Sequence, residues 1–178
     1  MDTNVLVPQM LRDVLLSSAE GGLYQLFWSQ EILDELRRNL GRAGGVAPER
    51  VDRVILTMQA AFPDAMVAAW PRSDVDDLPN DPGDRHVLAT AIEAGARSIV
   101  THNVRHFQRR HLERHGIEAL TPDDFLIYLL KTRRNDLLTV IGDISSGLTR
   151  PHLTPVQIMR ALSKVAPRFS TAAMEALR

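Results

Sequence analysis

The sequence predicts an α/β fold, in which a parallel sheet carries helices on its faces, followed by a helical C-terminal extension. Short apolar segments alternate with helical patterns along residues 1–132, and this alternation is typical of parallel α/β sheets. From about residue 133 onward only helical periodicity remains. We therefore predict an α/β domain over residues 1–132 and a helical extension over residues 133–178.

The composition favours a folded globular protein. The chain has 178 residues, of which 44% are hydrophobic and 24% charged, so wholesale disorder is excluded. It contains no cysteine, which excludes thiol nucleophiles, disulfides and cysteine-based zinc sites. No apolar run approaches the roughly 20 residues of a membrane-spanning helix, and no secretory leader is visible. We expect a cytoplasmic protein that makes no membrane contact.

The first half of the chain supplies three strand candidates and three predicted helices. Val5–Val7 reads as the end of a strand, and a helix follows from Pro8 to the Gly21-Gly22 pair. Leu23–Trp28 is a second strand candidate. Two further helices are predicted, one that ends at Gly41 and one from Pro48 to Phe62. A proline-rich connection over residues 63–80 holds one short strand candidate near Met66–Trp70.

The second half returns to the same alternation before it becomes helical. Apolar spacing predicts a helix over Asp84–Ala94 and buried strands at Ser98–Val100 and Ile117–Leu120. The sequence Thr121-Pro122-Asp123-Asp124 is a strong helix start. In the extension, helices are predicted over Leu137–Ile144 and from Thr154-Pro155 onward.

Acidic residues next to these elements are candidates for a metal site. Asp2 precedes the first strand candidate, Glu35 lies on a helix, Asp84 opens a helix, and Asn103 follows the Ser98–Val100 strand. A cluster of their oxygen atoms would suit a hard divalent ion such as Mg²⁺. Each acid also has an alternative interpretation. Asp84 would only cap its helix, Glu35 would be a solvated helix acid, and Asp2 would be a frayed terminal residue.

Charge is unevenly distributed along the chain, although the net charge is only −1. Residues 74–84 hold five aspartates and no basic residue, whereas residues 102–115 hold four arginines, four histidines and one acid. This order would suit a metal site beside a phosphate-binding rim. The alternative is that both are solvated surface segments. His111 and His115, four residues apart, would also allow a zinc pair, but no third ligand has suggestive spacing.

Five segments of the chain resemble the motifs of PIN-domain ribonucleases, in particular the branch of VapC-like toxins. In chain order these segments are DTNVLV (2–7), WSQEILDEL (28–36), DPGDRHVLA (81–89), THNVRHF (101–107) and IEALTPDDF (117–125). The resemblance covers about residues 1–130. It implies a three-layer α/β/α fold with a central parallel sheet.

The resemblance also implies a function, a metal ion and partners. It implies an endoribonuclease that uses Mg²⁺ or Mn²⁺ to hydrolyse RNA phosphodiester bonds, acting as the toxin of a type II toxin–antitoxin pair. The implied partners are RNA, a cognate antitoxin and a second copy of the chain in a homodimer. The implied catalytic residues are Asp2, Glu35, Asp84 and Asn103, and the first three would be the metal ligands. The predicted substrate-binding residues are Thr101, Arg105, Arg109 and Arg110.

Two competing hypotheses remain open at this point. In one, the chain is a degenerate PIN fold that binds RNA or an antitoxin without cutting, because Asn103 brings no charge where many relatives carry an acid. In the other, the chain is an α/β domain whose acids are only helix caps and surface residues. That last hypothesis predicts no specific binding of a divalent ion.

Overall fold

A computed structural model describes residues 1–42, 47–148 and 152–177, with the side chain of Ser73 left out. The chain forms two compact units. The first combines Met1–Val7 with Leu26–Thr121, and the second combines Pro8–Gln25 with the described part of Pro122–Arg178. The predicted boundary after residue 132 stays a prediction.

Helices dominate the described residues. In chain order the regular elements are α1 (Thr3–Leu6), α2 (Gln9–Glu20), α3 (Gln30–Arg42), α4 (Pro48–Ala61), α5 (Arg72–Asp76), α6 (Arg85–Glu93), β1 (Ser98–Val100), α7 (Arg109–Leu112), β2 (Glu118–Leu120), α8 (Pro122–Thr132), α9 (Arg134–Gly147), α10 (Pro155–Leu162) and α11 (Pro167–Ala176). Single 3₁₀ turns lie at Pro63–Ala65, Pro82–Asp84, Val104–His106 and Glu113–His115.

The sheet of the first unit is parallel, as predicted. β1 and β2 pair in register, with Ile99 opposite Ala119. Backbone contacts extend this layer past the two strands, because the Asp2 amide donates to the Val100 carbonyl at 3.1 Å. The Met1 amino group in turn donates to the Phe27 carbonyl at 3.2 Å. These contacts place Asp2 beside the carboxyl end of β1, where ligand sites of open α/β sheets gather.

Three predicted strands are wrong, although the α/β class with a parallel sheet and a helical extension is confirmed. Val5 and Leu6 lie in α1, which begins because Asp2 accepts a hydrogen bond from the Asn4 amide at 3.4 Å. A short apolar run is compatible with either a helix or a strand. Leu23–Trp28 forms no regular strand, and its sheet contact is a single parallel bridge from Trp28 to Met66. The strand candidate near Met66–Trp70 is likewise reduced to that bridge.

The core of the first unit lies around α3. Its buried face consists of Ile32, Leu33, Leu36 and Leu40, the apolar positions that predicted the helix. α3 packs against α1, α4 and α6. The packing of α1 and α6 on α3 brings the amino-terminal residues, Glu35 and the segment that begins α6 to one region of the unit.

The second unit is a helical assembly. α2 packs against α9, and α8 packs against α9 and α11. The predicted start at Thr154-Pro155 is confirmed by a capping box, in which Thr154 and Gln157 each accept a hydrogen bond from the other's backbone amide. Of the helices in the described ranges, none combines the length and apolarity that crossing a membrane requires.

Candidate active site

Asp2 is held inside the first unit by hydrogen bonds. Asp2 is only 2% exposed, so the interpretation of Asp2 as a frayed terminal residue is wrong. Asp2 Oδ2 accepts hydrogen bonds from Thr101 Oγ1 and from Asn4 Nδ2, each at 2.5 Å. Asn4 Oδ1 accepts from the His102 amide at 3.0 Å. These contacts tie the start of α1 to the loop that follows β1 and fix the orientation of the Asp2 carboxylate.

Burial and nearby acids both raise the pKa of Asp2. Burial is the largest cause that raises the pKa of Asp2 above its ordinary value. The hydrogen bond from Thr101 opposes the shift, whereas the negative charge of Asp84 and, more weakly, that of Glu35 raise the pKa further. Asp84 and Glu35 are thus close enough to Asp2 to disfavour its charged form, and a cation beside Asp2 would relieve that repulsion.

Glu35 is anchored from two other helices. Its Oε2 accepts a hydrogen bond from Thr3 Oγ1 of α1 at 3.0 Å and lies 3.1 Å from His86 Nε2 of α6. The hydrogen bond with His86 is the largest cause that lowers the pKa of Glu35. Burial lowers the pKa of His86, but the contact with Glu35 and the neighbouring carboxylates outweigh it and raise that pKa overall. Glu35 is therefore a fixed, ionised group and not a freely solvated helix acid.

Asp84 stands at the N-cap position of α6 but does not cap it. Its side chain makes no hydrogen bond to the backbone of that helix. Instead Asp84 Oδ2 lies 2.6 Å from His106 Nδ1. The interpretation of Asp84 as only a helix cap is therefore wrong. Asp81 does act as a turn residue, because its Oδ1 accepts a hydrogen bond from the Gly83 amide at 3.0 Å.

One tight group of possible metal ligands includes Asp84. Among the described residues, Asp81, Asp84 and His106 each offer a ligand atom, and these atoms lie within 4.8 Å of one another. The group does not include Asp2 or Glu35, nor the His111 and His115 pair. Carboxylate oxygens suit Mg²⁺ and Mn²⁺, so the donor chemistry of these side chains fits a divalent ion. The predicted ligand set of Asp2, Glu35 and Asp84 stays a prediction.

Thr101 and Asn103 support the site from the end of β1. Thr101 is fully buried, and its hydroxyl accepts a hydrogen bond from the Asn103 amide at 2.9 Å while it donates to Asp2. The Asn103 carbonyl accepts from the His106 amide at 2.9 Å. Asn103 therefore shapes the 3₁₀ turn that carries His106.

The three predicted substrate-binding arginines are all exposed. Arg105 Nε lies 3.4 Å from His106 Nε2, and Arg109 of α7 forms an ion pair with Glu113 of the next 3₁₀ turn at 2.5 Å. Arg110 Nε donates to His111 Nε2 at 3.1 Å. Their role in substrate binding stays a prediction.

Several side chains of the site were missed in the sequence. Thr3, Asn4, His86 and His106 were not among the predicted site residues, although each lies inside a quoted motif. The available signal was proximity, since Thr3 and Asn4 follow Asp2 directly and His86 is two residues from Asp84. A polar residue beside a candidate ligand in a motif is a reasonable candidate for orienting that ligand.

Beside Glu35 and His86 the first unit has an open cleft of about 630 Å³. Its polar lining includes four acids and three arginines, and Trp70 contributes an aromatic ring. A volume of this size falls within the range of ligand sites, about 300–1,000 Å³.

Two comparisons with known proteins find sequences that are similar to this chain. A family model described as "PIN domain" matches residues 1–105, which include the three predicted metal ligands and Asn103. A Mycobacterium tuberculosis protein named "Putative ribonuclease VapC50" is 38% identical over 90 residues, which is 51% of this chain and 53% of that protein. The chain therefore spans about half the length of this curated relative. No solved structure matches the chain.

Proposed function

Because the chain belongs to the PIN-domain family, we propose that it is a divalent-metal-dependent endoribonuclease that hydrolyses RNA phosphodiester bonds. The observation that carries the proposal is the buried Asp2 carboxylate, held by Thr101 and Asn4 beside the carboxyl end of β1, whose pKa is raised chiefly by burial and further by the charges of Asp84 and Glu35. Such an arrangement costs stability unless it serves a cation. The name of the relative, which includes the word ribonuclease, supports the same activity.

We propose that Asp2, Glu35 and Asp84 hold the ion, which is Mg²⁺ or Mn²⁺. A bound ion of this kind supplies an activated water and neutralises charge on a phosphodiester. The Asn103 amide, next to the loop that anchors Asp2, would orient a water or a substrate oxygen. Asn103 cannot act as a base, because an amide does not accept a proton at neutral pH.

The remaining side chains keep the three carboxylates in place. Thr101 and Asn4 donate to Asp2, Thr3 donates to Glu35, and the two histidines lie against Glu35 and Asp84. In a metal site these partners fix the direction of each ligand oxygen before the ion arrives. Arg105, Arg109 and Arg110 would contact RNA phosphates beside the site, since a guanidinium pairs well with phosphate.

The substitution Asp84→Asn tests the proposal. It removes one charge with little change in shape, so we expect metal-dependent RNA cleavage to be lost while the thermal midpoint is retained. Asp77→Asn is the matched control, because Asp77 is exposed and should cleave like the wild type. Equal cleavage by the wild type and Asp84→Asn would refute the assignment of the activity to this site.

The alternative is a PIN fold that binds RNA or an antitoxin without cutting it. The neutral Asn103 favours this alternative, since it adds no fourth charge to the cluster. RNA binding without metal-dependent cleavage by the wild-type protein would support it.

We further propose that the protein is the toxin of a type II toxin–antitoxin pair, with a cognate antitoxin as partner, and that it acts in the cytoplasm as a homodimer. These proposals follow from family membership and from the VapC name of the relative. We also propose that residues 1–132 form the nuclease domain and that residues 133–178 form a helical extension. Light scattering of the purified protein tests the homodimer. The expected molecular mass is twice the 19.9 kDa of one chain.

A further inference from the structure

Three histidines of the first unit lie close to the proposed site, and two of them are engaged with its carboxylates. His86 Nε2 lies 3.1 Å from Glu35 Oε2, and His106 Nδ1 lies 2.6 Å from Asp84 Oδ2. Each of these two rings is held against a carboxylate and orients it. The third histidine, His102, has no part in the chemistry proposed so far.

The backbone of His102 is fixed beside Asp2. Its amide donates to Asn4 Oδ1 at 3.0 Å, and Asn4 Nδ2 donates in turn to Asp2 Oδ2. The preceding residue, Thr101, donates to the same oxygen of Asp2. His102 therefore stands just past the carboxyl end of β1, where ligand sites of open α/β sheets gather.

The imidazole of His102 is open to solvent and uncommitted. His102 is exposed, and within the described ranges its ring takes part in no hydrogen bond or ion pair. Partial burial of the ring lowers the pKa of His102 below its ordinary value, and the negative charge of Asp2 offsets only part of that effect. The ring is therefore neutral at pH 7, and a neutral imidazole carries a lone pair that accepts a proton.

The proposed hydrolysis needs a group that removes a proton from the attacking water, and the residues named so far do not supply one. The carboxylates of Asp2, Glu35 and Asp84 are the proposed ligands of the ion, which commits their oxygen atoms. Asn103 is an amide and cannot serve as a base. An imidazole that titrates near the working pH is well suited to this task.

We propose that His102 is the general base of the hydrolysis. This inference rests on the proposed function and adds a catalytic residue to it. The imidazole takes a proton from the attacking water, and the water oxygen forms a bond to phosphorus. The bond from phosphorus to one bridging ester oxygen breaks, and the imidazolium returns its proton to that oxygen, directly or through solvent. One water is consumed for each phosphodiester bond, and the ring ends neutral, as it began.

Single-turnover cleavage of a short RNA by the full-length protein at saturating Mn²⁺, followed from about pH 5 to about pH 8, tests the proposal. In the wild type the rate should rise about tenfold per pH unit below the pKa of His102 and then level off, because only the neutral ring accepts a proton. His102→Gln keeps the backbone amide that anchors Asn4 but cannot titrate. It should cleave about 10²- to 10⁴-fold more slowly and lack this inflection.

Two further measurements separate a catalytic role from a structural one. His102→Ala leaves room for free imidazole, which should raise its cleavage rate in proportion to concentration and should not accelerate the wild type. His152→Gln, a change at an exposed histidine of the second unit, is the matched control and should keep the wild-type rate and pH profile. In metal-free protein, the ring protons of His102 followed by NMR should titrate below the ordinary value of 6.5.

Two outcomes would overturn the inference. One is wild-type cleavage by His102→Gln, and the other is a slower His102→Gln that keeps the wild-type inflection while His102→Ala fails to respond to imidazole. Failure of the proposed function is distinguishable from both. If Asp84→Asn loses cleavage while His102→Gln keeps it, the nuclease proposal stands and only the base is wrong. If the wild type shows no metal-dependent cleavage, both are refuted.

Discussion

His106 Nδ1 lies 2.6 Å from Asp84 Oδ2, so an imidazole covers one of the two oxygens of a predicted metal ligand. The contact joins the start of α6 to the 3₁₀ turn after β1, two segments that are 22 residues apart in the sequence. A histidine in this position orients the carboxylate and stands close enough to a bound ion to act as a ligand itself.

His106→Ala should weaken binding of Mn²⁺ by about 10- to 100-fold, the usual cost of losing a partner of a metal ligand. Binding of Mg²⁺ should fall less, because an imidazole nitrogen suits transition ions better than Mg²⁺. Calorimetric titration of both ions measures the two effects. His115→Ala, on an exposed turn, should bind both ions like the wild type. An unchanged affinity for Mn²⁺ in His106→Ala would show that His106 neither orients the Asp84 carboxylate nor binds the ion.

Asp2→Asn should stabilise the metal-free protein. The raised pKa of Asp2 means that its charged form costs stability in the folded state, at pH values above the folded pKa. In EDTA at pH 7 the thermal midpoint of Asp2→Asn should therefore exceed that of the wild type, by about 2–4 °C for each kcal/mol recovered. Below the ordinary aspartate value of 3.8 both proteins carry a neutral group, and their midpoints should converge.

When Mn²⁺ is added, the order of the two thermal midpoints should reverse, so that the wild type melts at a higher temperature than Asp2→Asn. A ligand that binds only the folded state stabilises it by mass action, and Asp2→Asn lacks one of the proposed ligands. Scanning calorimetry with and without Mn²⁺ measures both midpoints. A larger Mn²⁺-induced shift in Asp2→Asn than in the wild type would contradict the role of Asp2 as a ligand.

Helical elements were predicted well because their signals are periodic and long. The apolar face of α3 and the capping box of Thr154 were both visible as spacing in the sequence. The strands were harder to predict, since Val5–Val7 has the composition of a strand and yet forms none. The hydrogen bond from the Asn4 amide to Asp2 starts a helix there instead, and such a local side-chain contact overrides the preference of a three-residue run.

The site was predicted in part for a similar reason. Asp2, Glu35 and Asp84 could be selected because they stand in motifs, and all three belong to the first unit, although their joint role as ligands stays a prediction. Which partner holds each carboxylate could not be predicted. The contact of His86 with Glu35 joins residues 51 positions apart, and it depends on how α6 packs against α3. Nothing in the local sequence specifies a contact of that kind.

Thr3→Val should impair RNA cleavage more than it impairs folding. The change keeps the shape of the buried side chain but removes the hydroxyl that donates to Glu35 at 3.0 Å. Loss of an orienting partner should lower the cleavage rate by roughly tenfold or more, whereas one lost hydrogen bond costs about 1 kcal/mol of stability. Single-turnover cleavage and thermal melting measure the two effects. Thr57→Val on the exposed face of α4 should change neither, and a cleavage rate equal to wild type in Thr3→Val would count against the orienting role.

Asp123→Ala should destabilise the helical unit without changing metal binding. α11 begins at Pro167 and receives no side-chain cap from its own N-cap residue, Ala166. Asp123 of α8 takes that role, because its Oδ1 accepts from the Phe169 amide at 2.8 Å and its Oδ2 accepts from Arg168 Nε at 3.0 Å. Loss of a carboxylate at a helix N-terminus costs about 1–2 kcal/mol, which chemical denaturation followed by circular dichroism would measure. Asp143→Ala, an exposed change on α9, should leave the denaturation midpoint unchanged. If Asp123→Ala unfolds at the wild-type midpoint, the contact between α8 and α11 depends on the buried Phe169 and its apolar neighbours and not on this cap.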